Sequence, residues 1–182
     1  MRKTSRYLPL GAVVVILVII SLSMMFTQEG HAPKLENKPL PAFSLQRLDT
    51  AAGTADETLL TGKLQLLNVW ASWCAVCKSE HAFLLQLAQQ QDMSIIGLNY
   101  RDNRQAAIRE LNQSGNPYKA VLYDPKGAFA LDLGVYGTPE SYLVDSTGTI
   151  RYRYLGALDE KIWQQEFVPV IEMLQQEEQT NG

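Results

Sequence analysis

The apolar positions of the chain follow two alternating rhythms. Lys63 to Trp70 is an apolar run of strand length rich in Leu and Val, whereas Phe83, Leu84, Leu87 and Ala88 recur at helical spacing. The pattern predicts a strand over Leu64–Trp70 and a helix from Cys74 to about Gln91. Met93–Asn99 predicts a second apolar strand. Asn103–Gln113 carries Ala107, Ile108 and Leu111 on one side and predicts a helix stopped by Gly115. Ala120–Tyr123 predicts a short strand, and Phe129–Leu133 a helical turn or two ending at Gly134. Ser141–Asp145 and Ile150–Leu155 flank the turn signal Ser146-Thr147-Gly148 and predict a hairpin. A last helix opens at Asp159, a favourable N-cap, and runs to about Glu177, with Pro169 expected to kink or break it.

Upstream, Ala42–Leu45 predicts a short strand, and Thr50–Gly62, rich in Ala, Gly and Thr, a loop. Strands alternating with helices, then a hairpin and a closing helix, call for crossover connections. The expectation is an α/β domain over residues 42–177, a central mixed sheet with helices on both faces, followed by a tail at 178–182.

The N-terminus follows a different rule. Leu8 to Phe26 is a stretch of 19 residues without a charge, preceded by Arg2, Lys3 and Arg6 and by no acidic residue. That length just crosses a bilayer as a helix, and the flanking cations keep the N-terminus cytoplasmic. The expected layout is a cytoplasmic flank and transmembrane anchor at 1–26 and a polar tether at 27–41 carrying Pro33, Pro39 and Pro41. A cleaved signal peptide is the competing reading; its best junction, Gly30-His31-Ala32, is followed by Pro33, a poor neighbour for cleavage. Both readings export the domain.

Charge narrows the partners. The whole chain carries −3 and the anchor flank +3, so the exported part carries −3 − 3 = −6. A mildly acidic domain argues against nucleic acid or anionic lipid as main partner.

The candidate chemistry lies at one seam. Cys74 and Cys77 are the only cysteines, and they sit where the strand Leu64–Trp70 gives way to a helix. Residues three apart in a first helical turn share a face, so the two sulfurs can approach disulfide geometry. Cys74, at the helix N-terminus, would lie beside unpaired N–H groups and the positive end of the helix dipole, which stabilise a thiolate. Cys77, one turn deeper and expected to be less exposed, suits the resolution of a mixed disulfide. A purely structural staple gains little from closing so short a loop. Covalent haem attachment requires a histidine where Lys78 stands. His81 makes a Cys-x-x-Cys-x-x-x-His metal site conceivable, but no fourth ligand is evident, so no metal is expected. Thr138-Pro139, taken alone, reads as a trans proline at a strand entry.

Four strings together go further: Trp70-Ala71-Ser72-Trp73-Cys74, Asn99-Tyr100-Arg101-Asp102, Gly115-Asn116-Pro117-Tyr118 and Leu131-Asp132-Leu133-Gly134-Val135-Tyr136-Gly137-Thr138-Pro139-Glu140. Trp-Cys-x-x-Cys with a later Thr-Pro resembles the thioredoxin fold, and the full set resembles the DsbE (CcmG) family. These are membrane-anchored periplasmic thiol:disulfide proteins of cytochrome c maturation. The resemblance covers roughly Pro39 to Pro169. Many members carry proline after the first cysteine, where this chain has Ala75, which makes the redox potential less predictable.

The resemblance implies that Pro139 is cis and faces the cysteine pair, and that the backbone of Thr138 pairs with substrate as an added strand. It gives Glu80 and Glu140 roles near the cysteines, in recognition and in the acidity of the resolving thiol; for Glu80 the competing reading is a solvated glutamate near a helix start, favoured by the dipole. Trp73 could line a recognition surface, whereas Trp70 belongs to the core. The implied function is a disulfide reductase of the inner membrane with its C-terminal domain in the periplasm. Its substrate would be apocytochrome c or a maturation thiol protein, its electron donor a membrane thiol reductant, and no cofactor is called for. The alternatives are a disulfide oxidase and a thiol-based copper or other metal-binding module. A thiol peroxidase lacks its threonine, since Ala71 stands there.

Overall fold

The computed structural model describes residues 36–181 except 49, 51, 52, 91 and 92, together with positions 13, 15 and 16. The chain divides into two units, Met1–Ala32 and Pro33–Gly182. The expected anchor at 8–26 lies outside the described residues but for those three positions, as do the cleavage junction and most of the tether. Among the described residues no helix is long and apolar enough to cross a membrane.

The second unit is built on an eight-stranded mixed sheet. In chain order the strands are β1 (Lys38–Pro39), β2 (Ser44–Arg47), β3 (Thr54–Asp56), β4 (Gln65–Trp70), β5 (Ser94–Tyr100), β6 (Ala120–Asp124), β7 (Glu140–Val144) and β8 (Thr149–Leu155). Their order across the sheet is β1-β8-β7-β4-β5-β6-β2-β3. The neighbours β4, β5 and β6 run parallel, joined by the crossover helices α1 (Ala75–Gln89) and α2 (Arg104–Ser114). A short α3 (Ala128–Leu133) leads to β7, and β7 and β8 form the expected hairpin. The C-terminal helical segment comprises α4 (Glu160–Ile162), a π-helical turn (Trp163–Phe167) and α5 (Val168–Asn181).

Alternation along β4 explains the two layers. Leu66 and Trp70 point to one face, where they pack with Phe83, Leu84 and Leu87 of α1, Ala107 and Leu111 of α2, and Phe167 and Leu174 of the C-terminal segment. Leu67 and Val69 point to the other, against Leu60, Phe129 and Leu133. Asn68, fully buried, shares the first face with Leu66 and Trp70.

Four expectations change. The 50–62 segment is not simply a loop, because β3 pairs with β2 and a one-turn 3₁₀ helix follows at Glu57–Leu60, capped by the Asp56 side chain. The tether ends sooner than its composition suggests, because β1 adds to β8 as a short edge strand and places Pro39, which lacks an N–H, at the margin of the sheet. Pro169 does not break the last helix. The preceding turn widens so that the Val168 N–H bonds to Trp163 O, one residue further back than in an α-helix, and α5 continues. Finally, the expected tail is helical to Asn181.

Candidate active site

The active centre forms at the carboxyl end of β4, where the strand stops and α1 begins. Ala71 O accepts from the Cys74 N–H at 3.1 Å, closing a turn over Ala71–Cys74. Cys74 then serves as the N-cap of α1, and the Cys77 N–H donates to Cys74 Sγ at 3.0 Å. Cys74 and Cys77 are joined by a disulfide with their Cα atoms 5.3 Å apart. Once reduced, a Cys74 thiolate in this place would keep that helix-start donor and face the positive end of the dipole. The expected difference in depth is absent: Cys74 is 5% exposed and Cys77 6%. Bonded sulfurs share one environment, and the open surface beside them belongs instead to Trp73 and Val76.

Glu80, one turn after Cys77, is not a solvated helix residue. It is 1% exposed. Its Oε2 accepts from the Leu158 N–H at 2.8 Å and its Oε1 from Asn68 Nδ2 at 3.0 Å. Burial drives its carboxyl up to about 7, against the two hydrogen bonds, which pull it down. Asn68 also donates to Ser141 Oγ at 3.1 Å and accepts from the Tyr118 hydroxyl at 2.9 Å. A carboxyl that changes charge near neutral pH, one turn from a resolving thiol, is suited to accept that thiol's proton.

The segment before β7 lies beside the carboxyl end of β4, because Glu140 pairs with Val69. The Thr138–Pro139 bond is cis, as the family resemblance implies and contrary to the reading of the dipeptide alone. Pro139 O accepts from the Gly156 N–H at 3.0 Å. Glu140 does not project toward a client. It is 2% exposed, and its Oε1 accepts from the Tyr136 and Gly137 N–H groups at 2.6 and 2.9 Å. Its Oε2 accepts from Tyr142 Oη at 2.7 Å and Arg153 Nη2 at 2.8 Å. With every lone pair engaged, Glu140 shapes the 136–139 loop from behind. Arg153 also donates to Gly134 O at 2.8 Å and lies 4.9 Å from the centre of the exposed Tyr136 ring.

Trp73 is 59% exposed, with its indole N–H donating to Arg101 O at 3.1 Å. Trp70 is buried in the core, its ring stacked on Tyr118. His81 bonds through Nε2 to the carbonyls of Ser114 and Gly115, both at 3.1 Å, tying α1 to the end of α2.

The residues that sequence reasoning missed are Asn68, Tyr118, Arg153 and Asp102. One had a signal: Asn68 is an amide set among the apolar Leu66, Leu67, Val69 and Trp70 of its strand, and a buried amide needs partners. Asp102 and Tyr118 fall in strings that carry the family resemblance, which gave them no role, and Arg153 lies in none of those strings.

The family model described as Redoxin matches residues 35–168. The thiol:disulfide interchange protein DsbE of Yersinia pestis is 42% identical over 175 residues, spanning 93% of this chain and 93% of that protein. The protein of the same name from Escherichia coli K12 is 40% identical over 183 residues, spanning 97% and 98%. Among solved structures, a DsbF homologue from Corynebacterium diphtheriae has the same fold, with a TM-score of 0.64, 20% identity, and coverage of 80% of this chain and 95% of that one. With a thioredoxin-like fold, a Cys-x-x-Cys disulfide at a helix start and these relatives, the chain is a thiol:disulfide oxidoreductase and belongs to the DsbE family of thiol:disulfide interchange proteins.

Proposed function

We propose that the protein works as a reductase, anchored in the inner membrane by residues 8–26 with residues 42–177 in the periplasm. Its proposed clients are disulfides of apocytochrome c or of a cytochrome c maturation thiol protein. The cysteine pair carries the reading: Cys74 caps α1 with a backbone N–H on its sulfur, and a buried carboxyl stands one turn beyond Cys77.

The Cys74 thiolate attacks one sulfur of the client disulfide, and the other client sulfur leaves as a thiolate. Cys77 gives its proton to Glu80 and attacks Cys74 Sγ, expelling the second client thiolate. The client has gained two electrons, and the protein holds the Cys74–Cys77 disulfide. A membrane thiol reductant then restores the dithiol, and no cofactor is needed. Thr138 offers its backbone to an extended client, and Trp73 lines the docking surface.

Equilibration of the cysteine pair against glutathione tests the direction. A potential near or below about −200 mV supports a reductant; one near about −120 mV marks an oxidase and overturns the proposal. Thiols that form no disulfide and take up copper instead would favour the metal-binding alternative. Fractionation of the full chain tests the anchor: recovery in the soluble periplasmic fraction would contradict it.

A further inference from the structure

The turn that delivers Cys74 is gripped from outside by the β5–α2 connection. Asp102, 9% exposed, accepts from Ser72 twice: from its N–H at 2.6 Å through Oδ2 and from its hydroxyl at 2.8 Å through Oδ1. The carboxylate is itself aimed by Asn99 Nδ2 at 2.9 Å and by the Asn103 N–H at 2.7 Å. The next loop residue, Trp73, donates its indole N–H to Arg101 O. Arg101 adopts φ 45°, a left-handed conformation costly for a side-chain-bearing residue, which persists only where its surroundings fix it. Those surroundings are visible: the Arg101 N–H donates to Asp124 O at 3.0 Å, and Tyr123 Oη donates to Asp102 O at 3.1 Å. Residues 72 and 73, the two central positions of the turn that closes on Cys74, are therefore both held by residues 101 and 102.

We infer that Asp102 is a positioning residue for the nucleophile: by holding Ser72 it fixes the turn that presents Cys74 Sγ to the N-terminal amides of α1. The inference rests on the reading of Cys74 as the attacking thiol.

Two physical effects of Asp102 oppose each other, which makes the role separable. Its negative charge by itself disfavours a nearby thiolate, so losing the charge alone would lower the Cys74 pKa. Losing the grip would let the turn drift, loosen the Cys77 N–H contact with the sulfur, and raise the pKa toward the ordinary thiol value of about 8.5. The other charged groups to reckon with are Arg101, exposed to solvent, and Arg104, whose guanidinium donates to Arg47 O and Thr50 O. On α1 they are Lys78, paired with Glu110, and the buried Glu80, whose carboxyl is raised to about 7. All four are unchanged in every variant, so their effect is common to all the profiles.

The experiment is the alkylation rate of the reduced protein as a function of pH, read separately at each cysteine by peptide mass, for wild type, Ser72→Ala, Asp102→Ala and the double variant. Ser72→Ala removes one hydrogen bond and no charge. It is expected to raise the Cys74 midpoint, Asp102→Ala to raise it further, and the double variant to match Asp102→Ala. A midpoint that falls in Asp102→Ala would mean that charge rules. One that stays at the wild-type value in both single variants would leave Asp102 as a structural residue only. Either result overturns the inference. Should Asp102→Ala fail to fold, the Ser72→Ala midpoint decides alone. If Cys77 rather than Cys74 has the lower midpoint in wild type, the failure belongs to the assignment of the nucleophile.

Discussion

The Glu80 carboxylate and the Leu158 backbone N–H meet at 2.8 Å, although they stand 78 positions apart in the chain. The contact bolts the first turns of the active-site helix to the segment that follows β8. It also gives a buried charge a donor that no neighbour of Glu80 could supply, while burial still holds the carboxyl up at about 7.

The raised pKa has a consequence for stability. The folded protein holds this proton more tightly than the unfolded chain, so the contribution is complete below about 4.5 and is lost as pH climbs through about 7. The loss is on the order of 3 kcal/mol. Denaturant unfolding of the oxidised protein across this window is expected to show wild-type stability falling relative to Glu80→Gln. Parallel pH profiles would contradict the assignment.

In catalysis the same group is expected to act on the resolving step. Glu80→Gln should slow release of the second client thiol by up to about 10²-fold. It should also remove an inflection near pH 7 from the rate profile. Single-turnover kinetics with a peptide disulfide reads both.

The two cysteines are expected to fail differently. Cys74→Ser should abolish attack on a client disulfide, whereas Cys77→Ser should stop after attack and accumulate a mixed disulfide through Cys74. Non-reducing electrophoresis followed by mass spectrometry distinguishes the two, and a mixed disulfide through Cys77 would reverse the assignments.

Glu140→Ala should destabilise the fold by about 3–5 kcal/mol, the range for orphaning one partner of a buried ion pair. It leaves Arg153, with 14% of its side chain exposed, without its carboxylate, and the Tyr136 and Gly137 N–H groups without their acceptor. The melting temperature should drop, and activity should fall with it because the 136–139 loop loses its support.

Gly97 faces a close approach. A Cβ there would stand 2.9 Å from Trp70 Nε1 and from the Tyr118 ring. Gly97→Ala is expected to cost about 1–3 kcal/mol through overpacking. Because Tyr118 is the outer member of the Asn68–Glu80 network, the rate profile near neutral pH should shift as well.

Much of this protein was legible in the chain because it depends on local periodicity. The strand at Leu64–Trp70, the helix after Cys74, the hairpin about Ser146-Thr147-Gly148 and the spacing of the cysteines are all read within a few residues, where side-chain rhythm and backbone geometry are directly coupled. What lay beyond reach was decided by residues distant in sequence. Whether Glu80 is solvated or buried depends on Leu158 closing over it, and whether Glu140 faces a client or the interior depends on Arg153. The 54–56 segment becomes a strand because β2 provides its partner, and Pro169 is tolerated because the turn before it widens. Asp102 belongs to a string shared with the family, but its partner is unreadable until the fold brings Ser72 to it. A sequence window records propensity and pattern. The partner that satisfies a buried charge or an orphan N–H is chosen only when the sheet assembles and water is excluded.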